Sequence, residues 1–324
     1  MRAIRIHMTD DQRRLQLDEV PVPAPRPDQV IVRVAAVSLN RADLGRGRVG
    51  GGAGSNEPAI PGLDIAGVVE SVGEEVTAWK PGDRVMALVT GGAYAEYCPA
   101  RATLTYAIPE GMSFAEASTI PCVFLTAYYA LTTVANLQRG ETALIHAAGS
   151  GVGSAGIQIA RALGARVITS AGSDAKVTRG LELGAKAGVN YSSQDLRIEL
   201  LRLTDERGVD VVLDPVGGDI YGATLGALAP GGRVVTIGGT AGPRAPADEA
   251  SLQAKGQTVR PMMVFNAALE DSEGRGAARL NAWFEDGTLR PVIDRVLPMG
   301  EAAAAQRLLA DRRVFGKVVL VWED

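Results

Sequence analysis

The fold is decided by residues 143–156, which read Ala-Leu-Ile-His-Ala-Ala-Gly-Ser-Gly-Val-Gly-Ser-Ala-Gly. The apolar run over residues 143–147 is typical of a buried parallel strand, and residues 152–163 have the spacing of an amphipathic helix. Small residues join the two elements, so the backbone can approach a ligand closely. The free N–H groups of the first helical turn would then meet a phosphate at the positive end of the helix dipole. We therefore predict a nucleotide-binding turn.

The glycines of this stretch fit two registers. A Gly-x-Gly-x-x-Gly string covers residues 151–156, but it lies too far into the predicted helix. The pattern Ala-x-Ser-x-x-Gly over residues 148–153 follows the strand directly, and we adopt it. Such glycines can also serve only tight helix–strand packing, but the flanking strand and helix favour nucleotide binding. The predicted cofactor-binding residues are Ala148, Ser150, Gly151, Val152 and Gly153.

Length and composition indicate a protein of two domains. The chain has 324 residues, 46% of them hydrophobic, and two domains are expected at about 150 residues each. Its 33 basic and 37 acidic residues are interspersed, which predicts no nucleic-acid partner. No apolar run approaches the roughly 18 residues of a membrane span, and the polar N-terminal sequence is unlike a signal peptide. We expect a cytoplasmic protein in which Cys98 and Cys122 are small packing residues.

The sequence pattern changes near residue 119. Residues 1–118 alternate with period two, as in 30–34, and predict a twisted β-barrel. From residue 119 strands alternate with helices, which predicts a parallel sheet covered on both faces. The expected domains are 1–118 with 259–324, and 119–258. In the alternating region the predicted strands are 166–170, 188–190, 209–213 and 233–237, and the predicted helices are 174–183, 194–204 and 219–228. Helices near 270–286 and 301–311 follow, and a last strand, 316–321, should rejoin the N-terminal barrel.

Eight short motifs carry a family resemblance across essentially the whole chain. They are Ser38-Leu-Asn-Arg-Ala-Asp-Leu, Pro61-Gly-Leu-Asp-Ile-Ala-Gly, Lys80-Pro-Gly-Asp-Arg-Val, Gly92-Ala-Tyr-Ala-Glu-Tyr, Phe124-Leu-Thr-Ala-Tyr, Ala147-Ala-Gly-Ser-Gly-Val-Gly, Asp214-Pro-Val-Gly-Gly and Gly316-Lys-Val-Val-Leu. In order and spacing they resemble the NADPH-dependent quinone oxidoreductase (zeta-crystallin-like) family, a zinc-free branch of the medium-chain dehydrogenase/reductases. The resemblance implies a GroES-like β-barrel carrying substrate groups, a Rossmann doubly wound parallel sheet, and a cleft between them.

The residues present do not suit a zinc site. Zinc-dependent relatives place Cys where Leu39 or Asn40 stands, and Gly-His-Glu where Gly62-Leu-Asp stands. Catalytic zinc needs Cys or His ligands, typically with an acid, and this chain has only two of each. We interpret His146 as a packed, hydrogen-bonded residue at a strand end and His7 as a surface residue. We therefore predict no metal.

The end of the second Rossmann strand predicts NADPH. An NAD enzyme holds the ribose hydroxyls with an acid there, but this chain has Ala171, followed by Gly172 and Ser173. Lys176 could supply positive charge to a 2′-phosphate, although it could also be a solvated helix residue. The family places its 2′-phosphate contacts at the positions of Ser173, Lys176 and Tyr191, so these three and Gly172 join the predicted cofactor site.

The remaining site residues follow from the resemblance alone. It places Thr126, Gly238, Gly239 and Thr240 at the nicotinamide end, although the glycines could equally form an ordinary turn. It also adds Lys317 of the last motif to the cofactor-binding residues. Asn40 stands in the substrate-facing motif, where it could bind a substrate or cofactor oxygen.

Asp43 and its neighbours leave the proton donor open. Asp43 could take part in catalysis, cap a short helix or pair with Arg46, and we assign it with Asn40 and Thr126 to the catalytic set. Many relatives carry a tyrosine two residues after this aspartate, but this chain has Gly45. Tyr94 and Tyr128 belong to pocket motifs but could simply pack, so solvent is a candidate donor. The glycine-rich loop over residues 50–55 would give a mobile rim.

The expected function is NADPH-dependent reduction of a quinone or α,β-unsaturated carbonyl. A conjugated carbonyl accepts hydride at its β-carbon without a Lewis acid, since the enolate spreads the charge, whereas an isolated ketone would want a metal. The alternatives are an enoyl reductase tailoring a polyketide-like substrate and a non-catalytic NADPH-binding protein. By the resemblance we also expect a homodimer, paired through an edge strand around residues 258–265.

Overall fold

The computed structural model describes residues 1–9, 12–45 and 58–322. The chain divides into two compact units. The first comprises Met1–Cys122, Ala268–Asp286 and Arg290–Asp324, and the second comprises Val123–Ala267 and Gly287–Leu289. The predicted domain limits, 1–118 with 259–324 and 119–258, stay a prediction. The predicted loop over residues 50–55 and the candidate ion-pair partner Arg46 lie outside the described residues.

The first unit is built mainly from strands. Its N-terminal elements are β1 (Arg2–Thr9), β2 (Gln12–Glu19), β3 (Gln29–Ser38), β4 (Asp64–Val72), β5 (Arg84–Leu88), β6 (Tyr97–Arg101), β7 (Thr105–Ala107) and α1 (Phe114–Ala117), with short 3-10 helices over Arg41–Leu44 and Ala102–Leu104. Strands β1 and β2 pair with each other. Strand β3 lies inside a larger sheet, and its residues Val30, Val32 and Val34 belong to the hydrophobic core, as their spacing predicts.

The second unit contains the alternating elements. They are α2 (Val123–Tyr129), β8 (Thr142–Ile145), α3 (Gly151–Ala162), β9 (Arg166–Ala171), α4 (Asp174–Glu182), β10 (Ala187–Asn190), α5 (Leu196–Leu203), β11 (Val209–Asp214), α6 (Asp219–Gly226), β12 (Leu228–Thr236), α7 (Glu249–Ala254) and β13 (Thr258–Pro261). The strands form a parallel sheet in the order β10-β9-β8-β11-β12-β13. The chain starts this sheet in the middle and builds outward in both directions, which is the doubly wound arrangement that the sequence predicts.

The chain returns to the first unit at Ala268, within α8 (Val264–Glu270). The elements after α8 are α9 (Arg275–Glu285), β14 (Ile293–Pro298), a 3-10 turn over Met299–Glu301, α10 (Ala302–Ala310) and β15 (Lys317–Val321). Strand β15 pairs antiparallel with β3 and parallel with β14, so the mixed sheet runs β14-β15-β3-β4-β5-β7, with β6 also on β3. The expectation that the last strand rejoins the N-terminal sheet is confirmed.

Two predicted elements are wrong in detail. The edge strand expected over residues 258–265 ends at Pro261, and Val264 already belongs to α8. The helix expected near 270–286 corresponds to α9, but it begins only at Arg275, after Gly274 at φ 65°, and residue 270 ends the separate helix α8. Short apolar runs such as residues 262–265 suit either a strand or a helix, so periodicity alone could not separate them. Strand β13 is the outermost strand of its sheet, and the dimer pairing stays a prediction.

Across the described ranges, no helix combines the length and apolar character needed to cross a membrane.

Candidate active site

The turn between β8 and α3 has the backbone that the adopted register requires. Ala147 has a left-handed φ of 57°, and the Ser150 Oγ accepts a hydrogen bond from the Gly153 N–H at 2.9 Å. A β-carbon placed on Gly153 would lie 2.0 Å from the Ala147 carbonyl oxygen, so only glycine fits. Since an α-helix leaves its first N–H groups without intrahelical partners, those of Gly151 and Val152 remain to meet an anion.

Lys176 lies over this turn. A β-carbon on Gly149 would be 2.8 Å from the Lys176 Cδ, so the side chain runs across the glycine from the first turn of α4. Ser173 occupies the N-cap position of α4, but its side chain makes no capping hydrogen bond. Its hydroxyl is therefore not committed to the helix end and can serve a ligand.

Tyr191 closes the same corner from the end of β10. Its N–H donates to the Ala171 carbonyl at 3.1 Å, and its hydroxyl would lie 3.3 Å from a β-carbon on Gly172. The Ser192 hydroxyl donates to the Gly172 carbonyl at 3.1 Å. The predicted residues of the adenosine end thus lie around the carboxyl ends of β8, β9 and β10.

Three of the four predicted nicotinamide-end residues follow a strand on the other half of the sheet. Gly238, Gly239 and Thr240 follow β12, with Gly238 at φ 106°, and the Thr240 N–H donates to the Pro215 carbonyl at 3.2 Å. Thr126 lies in α2, which contacts α3, and is 7% exposed.

His146 is a packed residue, as the sequence predicts. It is fully buried at the end of β8, and its two ring nitrogens lie 2.6 Å from the Ser170 Oγ and 2.9 Å from the Thr224 Oγ1. Burial lowers its pKa to about 4, so the ring is neutral at physiological pH. The residue joins β8, β9 and α6.

Asn40 and Asp43 lie in a buried polar cluster of the first unit. The Asp43 Oδ2 accepts hydrogen bonds from the Asn40 N–H at 2.8 Å and from the Tyr94 hydroxyl at 3.2 Å. Its Oδ1 is buried and has no hydrogen-bond partner within the described part of the chain. Burial raises the pKa of Asp43 to about 7. Of the two structural alternatives, the capping contact with Asn40 is present, whereas Arg46 lies outside the described residues.

Lys317 contacts Asn40 directly. The Asn40 Oδ1 accepts from the Lys317 Nζ at 2.7 Å, and its Nδ2 donates to the Asp64 Oδ2 at 2.7 Å. The opposite amide orientation would face Nδ2 toward the ammonium and Oδ1 toward the carboxylate, so the two charges fix the amide. The Lys317 Nζ also lies 3.3 Å from the Asp64 Oδ2. Burial raises the pKa of Asp64, and the Lys317 ammonium opposes that rise.

Two residues of these clusters were missed from the sequence. Asp64, which is fully buried, also accepts from Ser38 Oγ at 2.9 Å and from the Cys122 N–H at 2.6 Å. An acid at the first position of an apolar strand is the sequence feature that could have identified Asp64. The second, Arg244, binds the buried Asp214 with its Nε 2.9 Å from Oδ2, and loop composition gave no signal for it. Gly45 is exposed, with its N–H donating to the Ala42 carbonyl at 3.1 Å.

The chain is similar to known proteins along its whole length. The chain is 33% identical to a quinone oxidoreductase of Sus scrofa, over 99% of its own length and 98% of that protein. The chain belongs to the quinone oxidoreductase family. Family models described as the alcohol dehydrogenase GroES-like domain and as zinc-binding dehydrogenase match residues 26–110 and 183–320 of this oxidoreductase.

Solved structures similar to this chain support the family assignment. A mycobacterial protein complexed with NADPH has a TM-score of 0.89 at 30% identity and covers 99% of this chain and 100% of its own. The CurK enoyl reductase has a TM-score of 0.84 at 30% identity, covering 99% of this chain and 99% of its own. The GroES-like and Rossmann architecture expected from the motifs is confirmed.

The prediction that this protein holds no metal is still to be tested. Within residues 1–9, 12–45 and 58–322, no group of three or more His, Cys, Asp or Glu side chains is placed to hold a metal ion. Cys98 is buried, and neither it nor Cys122 forms a disulfide. Metal independence stays a prediction that a chelator can decide.

Proposed function

We propose that this protein transfers a hydride from NADPH to a quinone or α,β-unsaturated carbonyl without a metal. The observation that carries the proposal is the corner formed by Lys176, Ser173 and Tyr191 around the carboxyl end of β9. Ala171 ends that strand without an acid, and the Lys176 side chain already crosses the phosphate turn. The nearby Asp174 carboxylate accepts a hydrogen bond from the Asn190 Nδ2 at 2.8 Å. A cation in the first turn of a helix is unfavourable for the helix dipole, which a bound phosphate would offset.

In this proposal the second unit binds NADPH. The pyrophosphate would lie on the N–H groups of Gly151 and Val152, at the start of the 12-residue helix α3. Ser173, Lys176 and Tyr191 would contact the 2′-phosphate with a hydroxyl, an ammonium and a phenol. When bound, the nicotinamide supplies the hydride, and the protein supplies orientation and exclusion of side reactions.

The catalytic assignments also remain proposals. We assign Asn40, Asp43 and Thr126 to catalysis, and Lys317, which contacts Asn40, to the cofactor-binding residues. A quinone or enone needs no Lewis acid to accept hydride, because the charge spreads over the conjugated oxygen. The oxygen can then take a proton from solvent.

The cofactor assignment is tested by Lys176→Ala, with Lys186→Ala as the matched control. Lys186 is exposed in the same unit, and its backbone N–H, not its side chain, pairs with Val167. Losing a charge-assisted hydrogen bond of roughly 1.5–3 kcal/mol should weaken NADPH binding by roughly ten- to hundredfold, with a much smaller effect on NADH. Equal effects on both cofactors would contradict the assignment, as would an effect of the control.

A substrate screen separates the candidate activities. Similarity to an enoyl reductase favours linear enones or polyketide-like lactones as a second substrate class. NADPH oxidation should therefore be measured with small quinones, linear enones and such lactones. Tight NADPH binding with no oxidation by any of the three would instead favour a non-catalytic protein.

A further inference from the structure

The topology of the parallel sheet divides a bound dinucleotide into two halves. The strand order reverses direction between β8 and β11, and dinucleotides lie across such a switch point at the carboxyl ends of the strands. The corner formed by Lys176, Ser173 and Tyr191 occupies the β9 side. The other half of the ligand must therefore lie over the loops that follow β11 and β12.

Those two loops pack backbone against backbone. The Ile237 N–H donates to the Asp214 carbonyl at 3.0 Å, and the Ala241 N–H donates to the Val216 carbonyl at 2.9 Å. Gly217 and Gly218 have left-handed φ values of 68° and 58°. A β-carbon on either would lie 2.9 Å from a carbonyl oxygen of the opposite loop, so the contact leaves no room for side chains.

One ion pair ties the two loops together. The Asp214 side chain is 1% exposed, and its Oδ1 accepts from the Val216 and Gly217 N–H groups at 2.8 and 2.9 Å. Its Oδ2 accepts from the Arg244 Nε at 2.9 Å, while the Arg244 Nη2 donates to the Asp214 carbonyl at 3.1 Å. The guanidinium also lies 5.7 Å from the centre of the Tyr221 ring. Arg244 therefore holds the far end of the β12 loop against the end of β11.

We propose that Arg244 is a positioning residue that fixes residues 238–240 for the nicotinamide half of the cofactor. The inference rests on the proposed NADPH binding. Backbone groups can serve a ligand only if their loop is held in one conformation, and the Asp214 carboxylate bonds the β11 loop directly and the β12 loop through Arg244. Without the guanidinium, the β12 loop keeps its backbone contacts but loses its link to the buried carboxylate.

The test compares two ligands that differ only at the nicotinamide end. Dissociation constants for NADPH and for 2′-phospho-ADP-ribose, which lacks the nicotinamide, are measured by calorimetry for the wild type, Arg244→Gln and Arg244→Lys. The control is Arg207→Gln, because Arg207 pairs with Asp210 at 2.6 Å near the amino end of β11. Thermal midpoints without ligand show whether each variant is folded.

Arg244→Gln should weaken NADPH binding by roughly tenfold, the low end for a lost charge-assisted hydrogen bond, and leave 2′-phospho-ADP-ribose unchanged. Arg244→Lys should recover part of the loss, and Arg207→Gln should change neither ligand. Equal weakening of both ligands would mean a merely structural role and overturn the proposal, as would unchanged NADPH binding. If the wild type binds NADPH but reduces no substrate, the proposed activity fails while this comparison still decides the role of Arg244. If the wild type binds neither ligand, both proposals fail.

Discussion

Replacing Asp43 with asparagine should stabilise the protein at neutral and alkaline pH. Burial raises the pKa of this carboxyl from 3.8 to about 7, so the folded state resists losing the proton that the unfolded chain gives up readily. The folded state therefore binds more protons between these two values. The stability contribution of the neutral acid is complete below pH 3.8 and is lost as the pH rises to about 7.

The size of the effect follows from the two pKa values. A difference of about three units at ~1.36 kcal/mol each gives ~4 kcal/mol. Asparagine keeps an oxygen for the Asn40 N–H and the Tyr94 hydroxyl, but its amide N–H replaces an oxygen that has no partner in the described chain, at a cost of ~1–3 kcal/mol. The variant should therefore gain about 1–3 kcal/mol at pH 8 and lose about 1–3 kcal/mol at pH 4, where the wild-type acid is already neutral and only the cost of the amide N–H remains.

Urea unfolding monitored by tryptophan fluorescence measures this difference in the free energy of unfolding directly. All three tryptophans, Trp79, Trp283 and Trp322, belong to the first unit, so the signal reports on the unit that contains Asp43. Glu74→Gln is the control, because Glu74 is an exposed acid in a turn of the same unit. A difference between Asp43→Asn and wild type that is the same at pH 4 and pH 8 would refute the reasoning.

Three further expectations concern the turn, the substrate and metal. Gly153→Ala should abolish measurable NADPH binding and lower the free energy of unfolding by about 1–3 kcal/mol or more, because its β-carbon would lie 2.0 Å from a carbonyl oxygen. Gly222→Ala is the control in urea titrations, since a β-carbon there has no heavy atom within 4 Å. Gly45→Tyr should slow turnover of a large quinone more than that of a small one, because the phenol fills volume; equal slowing would contradict this. The Gly45 backbone (φ −62°, ψ 156°) suits any residue, and a β-carbon there would lie 3.2 Å from the Ala42 carbonyl oxygen, which a small shift relieves. Treatment with a chelator should leave activity unchanged, and activity restored by added zinc would show a metal site.

The locally encoded parts of the fold could be predicted from the sequence. The β8–α3 turn follows from neighbouring small residues, and both element limits were correct to within two residues. The strand over 258–265 failed because its apolar run continues past Pro261 into a helix, and hydrophobicity is the same in both states.

The partners within the site could not be predicted in the same way. Asp64 and Lys317 are 253 residues apart, and Asp214 and Arg244 are 30 apart. Periodicity identifies which face of an element is buried but says nothing about which charge meets which across the fold. Lys317 was therefore assigned to the cofactor by resemblance, while its contacts with Asn40 and Asp64 required the structure.

The position of β15 constrains the order in which the protein can be completed during synthesis. Lys317 lies 277 residues after Asn40, yet it supplies the cation beside the fully buried Asp64. While the ribosome has not yet released this strand, residues 36–38 of β3 lack their partner, and an unpaired strand edge invites pairing with other chains. The second unit is almost contiguous in sequence and can form earlier, since domains fold as units during translation. A nascent chain stalled before residue 317 would therefore lack the cation beside Asp64 and expose an open strand edge, so it would be prone to aggregation.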